Sequence, residues 1–222
     1  MQYLTLISAV LFAAACGGDG RPEGDCVPGS SDSYLPFRVG NSWTFEVRNT
    51  LTPDIVTTKS QSVTAEMNYP GDGMPAFIQV TNKAEGSTVS WLRVVGDRHV
   101  RLEQQDRDLD GLLERTTVYE PSKLRLDQSQ ANLAMGATYD DTYMKIVYDE
   151  NGVEIERLPV TENWEVLAES EPCPGEFADF DCVRLSRSQT GLPPKVFWFS
   201  PGIGKVKEDG GQIETLTSCS LD

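Results

Sequence analysis

The sequence predicts an all-β protein: a single antiparallel, strongly curved sheet or partly open barrel of about ten strands, with at most one short helix. Three observations carry that expectation. After residue 34 the dominant hydrophobic period is two. The breaks between periodic runs hold hairpin chemistry such as Asn151-Gly152. The chain has 222 residues, 39% hydrophobic and 9% aromatic, which is ample for one core and thin for two.

In NSWTFEVRN, Trp43, Phe45 and Val47 alternate with Thr44, Glu46 and Arg48, the pattern of a strand with one face on a core. The alternation recurs in PAFIQVTN, STVSWLRVV, RHVRLEQQ, LERTTVYE, DTYMKIVYDE, VEIERLPV, ENWEVLAE, DCVRLSRS, KVFWFS and QIETLTS. Asn151-Gly152 predicts a type I′ hairpin, whose two central residues both take positive φ, and Asp209-Gly210-Gly211 predicts a second hairpin. PGIGKVK reads as a turn at Pro201-Gly202, with a bulge or close backbone contact at Gly204. The one candidate helix is DQSQANLAMG, near Leu126 to Gly136. No period of 20 to 50 residues repeats, which argues against a propeller or solenoid.

Lys plus Arg number 19 against 34 Asp plus Glu, a net charge of −15. Such a surface repels nucleic acid and anionic headgroups, and its acidity suits solvation. No segment after residue 15 reaches the run of about 20 apolar residues that spans a bilayer.

Residues 1–15 form a short apolar run closed by Ala13, Ala14 and Ala15, which reads as a secretory signal. The next residue is Cys16, and the AAAC stretch resembles the lipobox of bacterial lipoproteins. That resemblance implies a cysteine acylated on sulfur that becomes the new N-terminus, with palmitate-like chains holding the domain on a membrane. The match departs from the family at Ala13, where Leu is usual, and in an n-region without Lys or Arg. Gly17 in place of Asp corresponds to outer-membrane sorting in enteric bacteria. Residues 16–33, rich in Gly, Asp, Pro and Ser, are expected to be a flexible tether, and 34–222 the all-β domain.

With Cys16 set aside for lipid, Cys26, Cys173, Cys182 and Cys219 remain, an even set in an exported chain. Three pairings are possible. The expected one joins Cys173 to Cys182 across a short Pro-Gly loop and Cys26 to Cys219 across the domain. Zinc would need C-x₂-C spacing or histidines, and the single histidine, His99, reads as an exposed strand residue.

Catalytic patterns are incomplete. Lys205 follows a glycine, but Phe199 and Val206 break the phosphate-loop pattern. No G-x-S-x-G is present, and a triad would rest on His99 alone. The one motif with a mechanism is DRDLDG: Asp106, Asp108 and Asp110 followed by Gly111, with Glu114 at the ninth position, open like a calcium loop. Thr117 replaces the bidentate twelfth ligand. Weak calcium binding is one reading, a solvated hairpin tip the plainer one.

YLPFRVGNSWTFEV, FADFDCVRL and KVFWFSPGIGKVKEDGGQIETL resemble a poorly characterised group of all-β bacterial envelope lipoproteins, which share the GNSW and PGIGKVK patterns. The resemblance covers most of residues 34–218 and implies fold and location only. The expected function is a non-enzymatic binding or interaction module, lipid-anchored at the cell envelope. It would contact the membrane through its N-terminal lipid, with a protein or small apolar ligand as partner. The alternative is a carrier or chaperone that shelters a lipid or other apolar ligand in the curved sheet. Trp43, Trp91, Trp164 and Trp198 would then help line it, although filling the core is their simpler role.

Overall fold

The computed structural model describes residues 26–29, 31–52 and 55–222. The expectations for the signal segment, Cys16 and residues 17–25 lie outside the described residues. The strands are β1 (Ser42–Asn49), β2 (Val56–Asn68), β3 (Pro75–Lys83), β4 (Gly86–Val95), β5 (Arg98–Arg107), β6 (Leu113–Asp127), β7 (Thr138–Asp149), β8 (Glu154–Pro172), β9 (Asp181–Gln189), β10 (Lys195–Ser200), β11 (Gly204–Asp209) and β12 (Gln212–Ser220). They close into a barrel in which every strand pairs antiparallel with its neighbours in sequence and β12 returns to β1. A single short helix, α1 (Gln130–Leu133), and a 3₁₀ turn at Gly175–Phe177 interrupt the meander.

This corrects the expected count and openness: twelve strands and full closure, instead of about ten and a partly open edge. VEIERLPV and ENWEVLAE are one 19-residue strand, β8. Two strands went unread. β11 hides in the glycine-rich stretch after Gly204, and β2 (VTTKSQSVTAEMN) has too few apolar residues to alternate. Closure pairs Trp43 with Cys219 and Asn49 with Gln212, which leaves no unpaired edge strand among the described residues to template aggregation.

In such a meander the odd-to-even hairpins share one end, and the even-to-odd connections share the other with the N-terminal segment. That segment plugs the second end. Leu35 joins one core cluster with Val183, Leu185 and Phe199, while Phe37 packs against both main clusters. Gly29 N–H donates to Gly202 O at 3.0 Å, and Gly202 N–H donates to Ser33 O at 2.9 Å. Cys26 is buried and bonded to Cys219, and Cys173 is bonded to Cys182. Residues 26–33 were expected within the tether, yet the described ones are held on the barrel by this disulfide and these hydrogen bonds.

The PGIGKVK expectation holds at Gly204. Its φ is +104°, and an added Cβ would lie 3.3 Å from Trp43 Nε1. The same indole donates to Ile203 O at 2.6 Å, fastening the β10–β11 turn over β1. Asn151-Gly152 does turn a hairpin, but not as type I′: only Gly152, at φ 78°, has positive φ. The outer positions Thr161, Asn163 and Glu165 of β8 are exposed and polar, where a membrane barrel carries an apolar band. Among the described residues no helix is long and apolar enough to cross a membrane.

Candidate functional site

The barrel is not filled to its open end. A cavity of about 340 Å³ runs inward from the β3–β4 hairpin (Lys83, Ala84, Glu85) to Phe197 and Phe199. A second chamber of about 310 Å³, lined in part by Leu192 and Pro193 of the β9–β10 hairpin, shares Arg187, Lys195, Glu208 and Glu214 with it. Strand alternation aims the lining inward: Lys59 and Gln61 from β2, Lys123 and Arg125 from β6, Glu214 from β12.

The lining is charged in a way the rest of the chain is not. Lys83 and Glu85 face each other at 4.0 Å at the mouth, and below them Lys59, Arg101, Lys123, Arg125, Arg187, Lys195 and Lys205 face the lumen. Three carboxylates, Glu162, Glu208 and Glu214, stand against them. A net positive interior therefore sits within a chain of net charge −15.

These groups form three sets. In the first, Lys205 Nζ lies 2.6 Å from Glu208 and 2.5 Å from Glu214. Lys195 also binds Glu208, at 2.6 Å, and Lys59 also binds Glu214. Burial would lower the Lys205 pKa, but Glu208 and Glu214 outweigh it and hold it above the usual lysine value. Lys59 has less compensation: burial, then repulsion from Lys205, bring it down to about 7. In the second set Glu162, 1% exposed, receives Lys123 at 2.9 Å and Arg187 at 3.7 Å on one oxygen, and its other oxygen has no partner. Burial and then Arg187 lower Lys123 to about 8.

The third set is Arg101 and Arg125, for which no carboxylate lies within ion-pair distance among the described residues. Arg101 Nη1 donates to Gln104 Oε1 at 2.5 Å, and its Nε is buried without a partner. Burial and then the neighbouring Arg101 and Arg187 push the Arg125 guanidinium down to about 9. Like charges are thus held together here with Glu208 and Glu214 offsetting Arg125 only in part and no carboxylate in direct contact.

The tryptophans divide between roles. Trp164, 1% exposed, stacks between Tyr139 and Phe197, with the Arg187 guanidinium 5.6 Å over its ring. Trp43 is core. Trp91 packs on Tyr69, and Trp198 donates to Glu171 at 2.8 Å with Lys207 over its ring. None of the four lines the cavity.

His99 was expected to be exposed and is 2% exposed. Its Nε2 lies 3.3 Å from Ser33 Oγ, and its ring meets Phe37 edge-on. It supports the plug, and burial lowers its pKa.

The calcium-loop carboxylates are not brought together. Asp106, on β5, is 7% exposed and binds Arg115 at 2.7 Å, Thr88 at 2.9 Å and Gln104 at 2.9 Å. Burial would raise its carboxyl, but these partners outweigh it and hold it below the usual value. Asp108 Oδ1 accepts the N–H groups of Asp110 and Leu112, both at 2.9 Å, closing a turn with Gly111 at φ 80°. Asp149 Oδ1 does the same for Asn151 and Val153, at 2.9 and 2.8 Å, with Gly152 at φ 78°. DLDGL and DENGV are therefore one hairpin type, and the Asp-x-Asx-Gly spacing is turn chemistry. Glu114 is exposed on β6. Among the described residues no group of three or more His, Cys, Asp and Glu side chains could hold a metal. Equal melting temperatures in millimolar Ca²⁺ and in chelator are expected. A rise in calcium that Asp108→Asn plus Asp110→Asn removes would restore the metal reading.

Sequence reasoning missed the cationic lumen. The available signal was Lys123-x-Arg125 within a strand, which sets two cations on one face with Leu124 and Leu126 on the other. Nothing in the sequence says that a polar face looks into a barrel instead of out to water.

No protein-family model and no curated protein sequence matches the chain. Among solved structures it is similar to a protein from Bacteroides fragilis described as exported, with a YMCC-like fold. The two are 12% identical over 85% of this chain and 99% of that one, with a TM-score of 0.50. It is also similar to a protein from Parabacteroides distasonis described as a lipoprotein, 11% identical over 86% of this chain and 99% of that one, with a TM-score of 0.39. The first likeness shows that this closed meander is a fold other chains adopt.

Proposed function

We propose that this chain is a lipid-anchored protein of the bacterial cell envelope that binds a small molecule in its barrel lumen and does not transform it. The cavity carries the reading. About 340 Å³, open at one end and plugged at the other, falls within the usual range for small-molecule sites. The lipobox-like run before Cys16 supports the anchor, and two disulfides suit an oxidising compartment. The similar Bacteroides fragilis protein is described as exported, which agrees. A purely apolar cargo fits less well, since it would have to desolvate seven cationic side chains.

Native mass spectrometry of protein extracted from its own membrane tests the lumen. The wild type should carry an added mass of a small molecule. Gln61→Trp, which fills the middle of the lumen, should carry none while melting as a folded protein. A wild type without adduct, or an adduct kept by Gln61→Trp, counts against lumen binding. Cys16→Ser tests the anchor: the protein should move from the membrane pellet to the soluble fraction. Its retention in the pellet at high salt would exclude lipid at Cys16.

A further inference from the structure

We infer that the lumen ligand is a small dianionic organic acid, a phosphate monoester or a dicarboxylate, whose charged oxygens are held by Arg101 and Arg125 and whose apolar part lies on Phe197 and Phe199. The inference rests on the lumen-binding reading above and names the ligand's chemistry.

Below the Lys83–Glu85 pair at the mouth, seven cations meet three carboxylates, and each of the three already binds other cations. Glu208 and Glu214 serve Lys195, Lys205 and Lys59, and Glu162 serves Lys123 and Arg187. Arg101 and Arg125 are left over. They project from adjacent strands, where Arg101 pairs in register with Lys123, two residues from Arg125. A guanidinium is costly to hold near its like and out of bulk water without a counter-charge. An oxyanion between the two would accept paired N–H donors from each and supply that charge. The buried, unpartnered Nε of Arg101 is one such donor.

The rest of the wall is largely threonine and glutamine, with one apolar patch. Phe197 and Phe199 line the same cavity, with ring centroids 5.9 Å apart, and Arg187 covers Phe197 at 5.1 Å. Inorganic phosphate would leave these rings facing water, and a neutral hydrophobe would leave the arginines unpaired. An acid with a short aromatic or aliphatic part satisfies both. The volume excludes a polymer or a whole phospholipid. The negative exterior does not attract such an anion, so the recognition is local to the lumen.

The test is thermal unfolding of the full chain in neutral detergent near pH 7, at constant ionic strength, with phenyl phosphate, phthalate or benzamide. Phenyl phosphate or phthalate should raise the melting temperature by about 3 to 6 °C at ten times its dissociation constant, and neutral benzamide should not. Arg101→Met plus Arg125→Met should abolish the rise while melting no lower than wild type without anion, because the removed charges had no partner. Arg125→Met alone stands in if the double variant fails to fold. Arg157→Met, on the exterior, should respond like wild type. A rise with one anion only supports the inference and identifies the head group. No rise with either anion, an equal rise with benzamide, or a rise kept by the arginine variants would overturn it. An adduct in native mass spectra that is neutral or cationic would sink the anion and leave lumen binding standing. An adduct indifferent to Gln61→Trp would remove the lumen reading itself.

Discussion

Replacing Glu214 by Gln is expected to cost about 3 to 5 kcal/mol of stability, the penalty for leaving buried cations uncompensated. For a chain of this size that lowers the melting temperature by about 6 to 20 °C. Glu214 is 8% exposed, and one of its oxygens serves both Lys59 and Lys205. The neutral amide leaves those lysines, with Lys195, to share Glu208 alone. The pH dependence gives a signature that lost packing would not. Burial would raise the Glu214 pKa, but Lys205 and Lys59 hold it below its ordinary value of 4.5. Its contribution is therefore complete above pH 4.5 and fades only as pH falls through the depressed value. Lys59 behaves in the opposite way. Its pKa, already down to about 7, falls further without Glu214, so the unfolded chain binds its proton more tightly than the folded one. The variant should regain stability as pH rises from about 7 toward the ordinary lysine range. Adding Lys59→Met to Glu214→Gln should recover much of the loss at neutral pH. Melting curves across pH decide this; a single variant as stable as wild type at pH 7 would show that the lumen charges are hydrated as in open water.

The same polar interior explains what the sequence could and could not disclose. Strands with an apolar inner face announced themselves: Trp43, Phe45 and Val47 in β1, or Phe197 and Phe199 in β10, alternate against polar partners. β2 did not, because Thr57, Lys59 and Gln61 on its inner side line the cavity and its outer side is polar as well. A period of two in hydrophobicity disappears when both faces meet water or charge. β11 was lost for another reason. Gly204 and the preceding turn look like loop chemistry, and strand status comes from pairing with β10 and β12, which is non-local. The two strands that flank the closing β1–β12 pair, β2 and β11, carried the weakest local signal. That is why an open sheet was the natural expectation.

The site was less legible than the fold. Turn geometry is local, so DLDGL could be reread from DENGV within the sequence itself, although its carboxylate spacing pointed to calcium. The lumen cations come from six strands separated by up to 146 positions, Lys59 to Lys205, and only barrel closure brings them together. Lys205 follows a glycine as a phosphate-loop lysine does, but Phe199 and Val206 break that pattern. Its role follows from Glu208 and Glu214, three and nine positions downstream, which strand pairing folds onto it.

The long disulfide should matter more than the short one. Cys26–Cys219 closes 193 positions and Cys173–Cys182 closes nine. On the chain-entropy account the first is worth about 5 kcal/mol and the second about 2.5 to 3. Cys26→Ser plus Cys219→Ser should therefore lower the melting temperature by about 8 to 20 °C, and Cys173→Ser plus Cys182→Ser by about 5 to 12 °C. The native state points the same way. Cys26 ties down the plug, whose remaining bonds to the β10–β11 turn are Gly29 to Gly202 and Gly202 to Ser33. Without the disulfide these should open locally before the barrel does, so amide exchange at Gly29 and Gly202 should accelerate well below the melting transition. Cys173→Ser plus Cys182→Ser should leave those two amides unchanged, because that bridge ties the β8–β9 connection and makes no covalent link to the plug, although it shares a packed cluster with Cys26. If both double variants melt alike and Gly29 stays protected in each, the plug is held by Leu35 and Phe37 packing in the core, and the terminal disulfide contributes little.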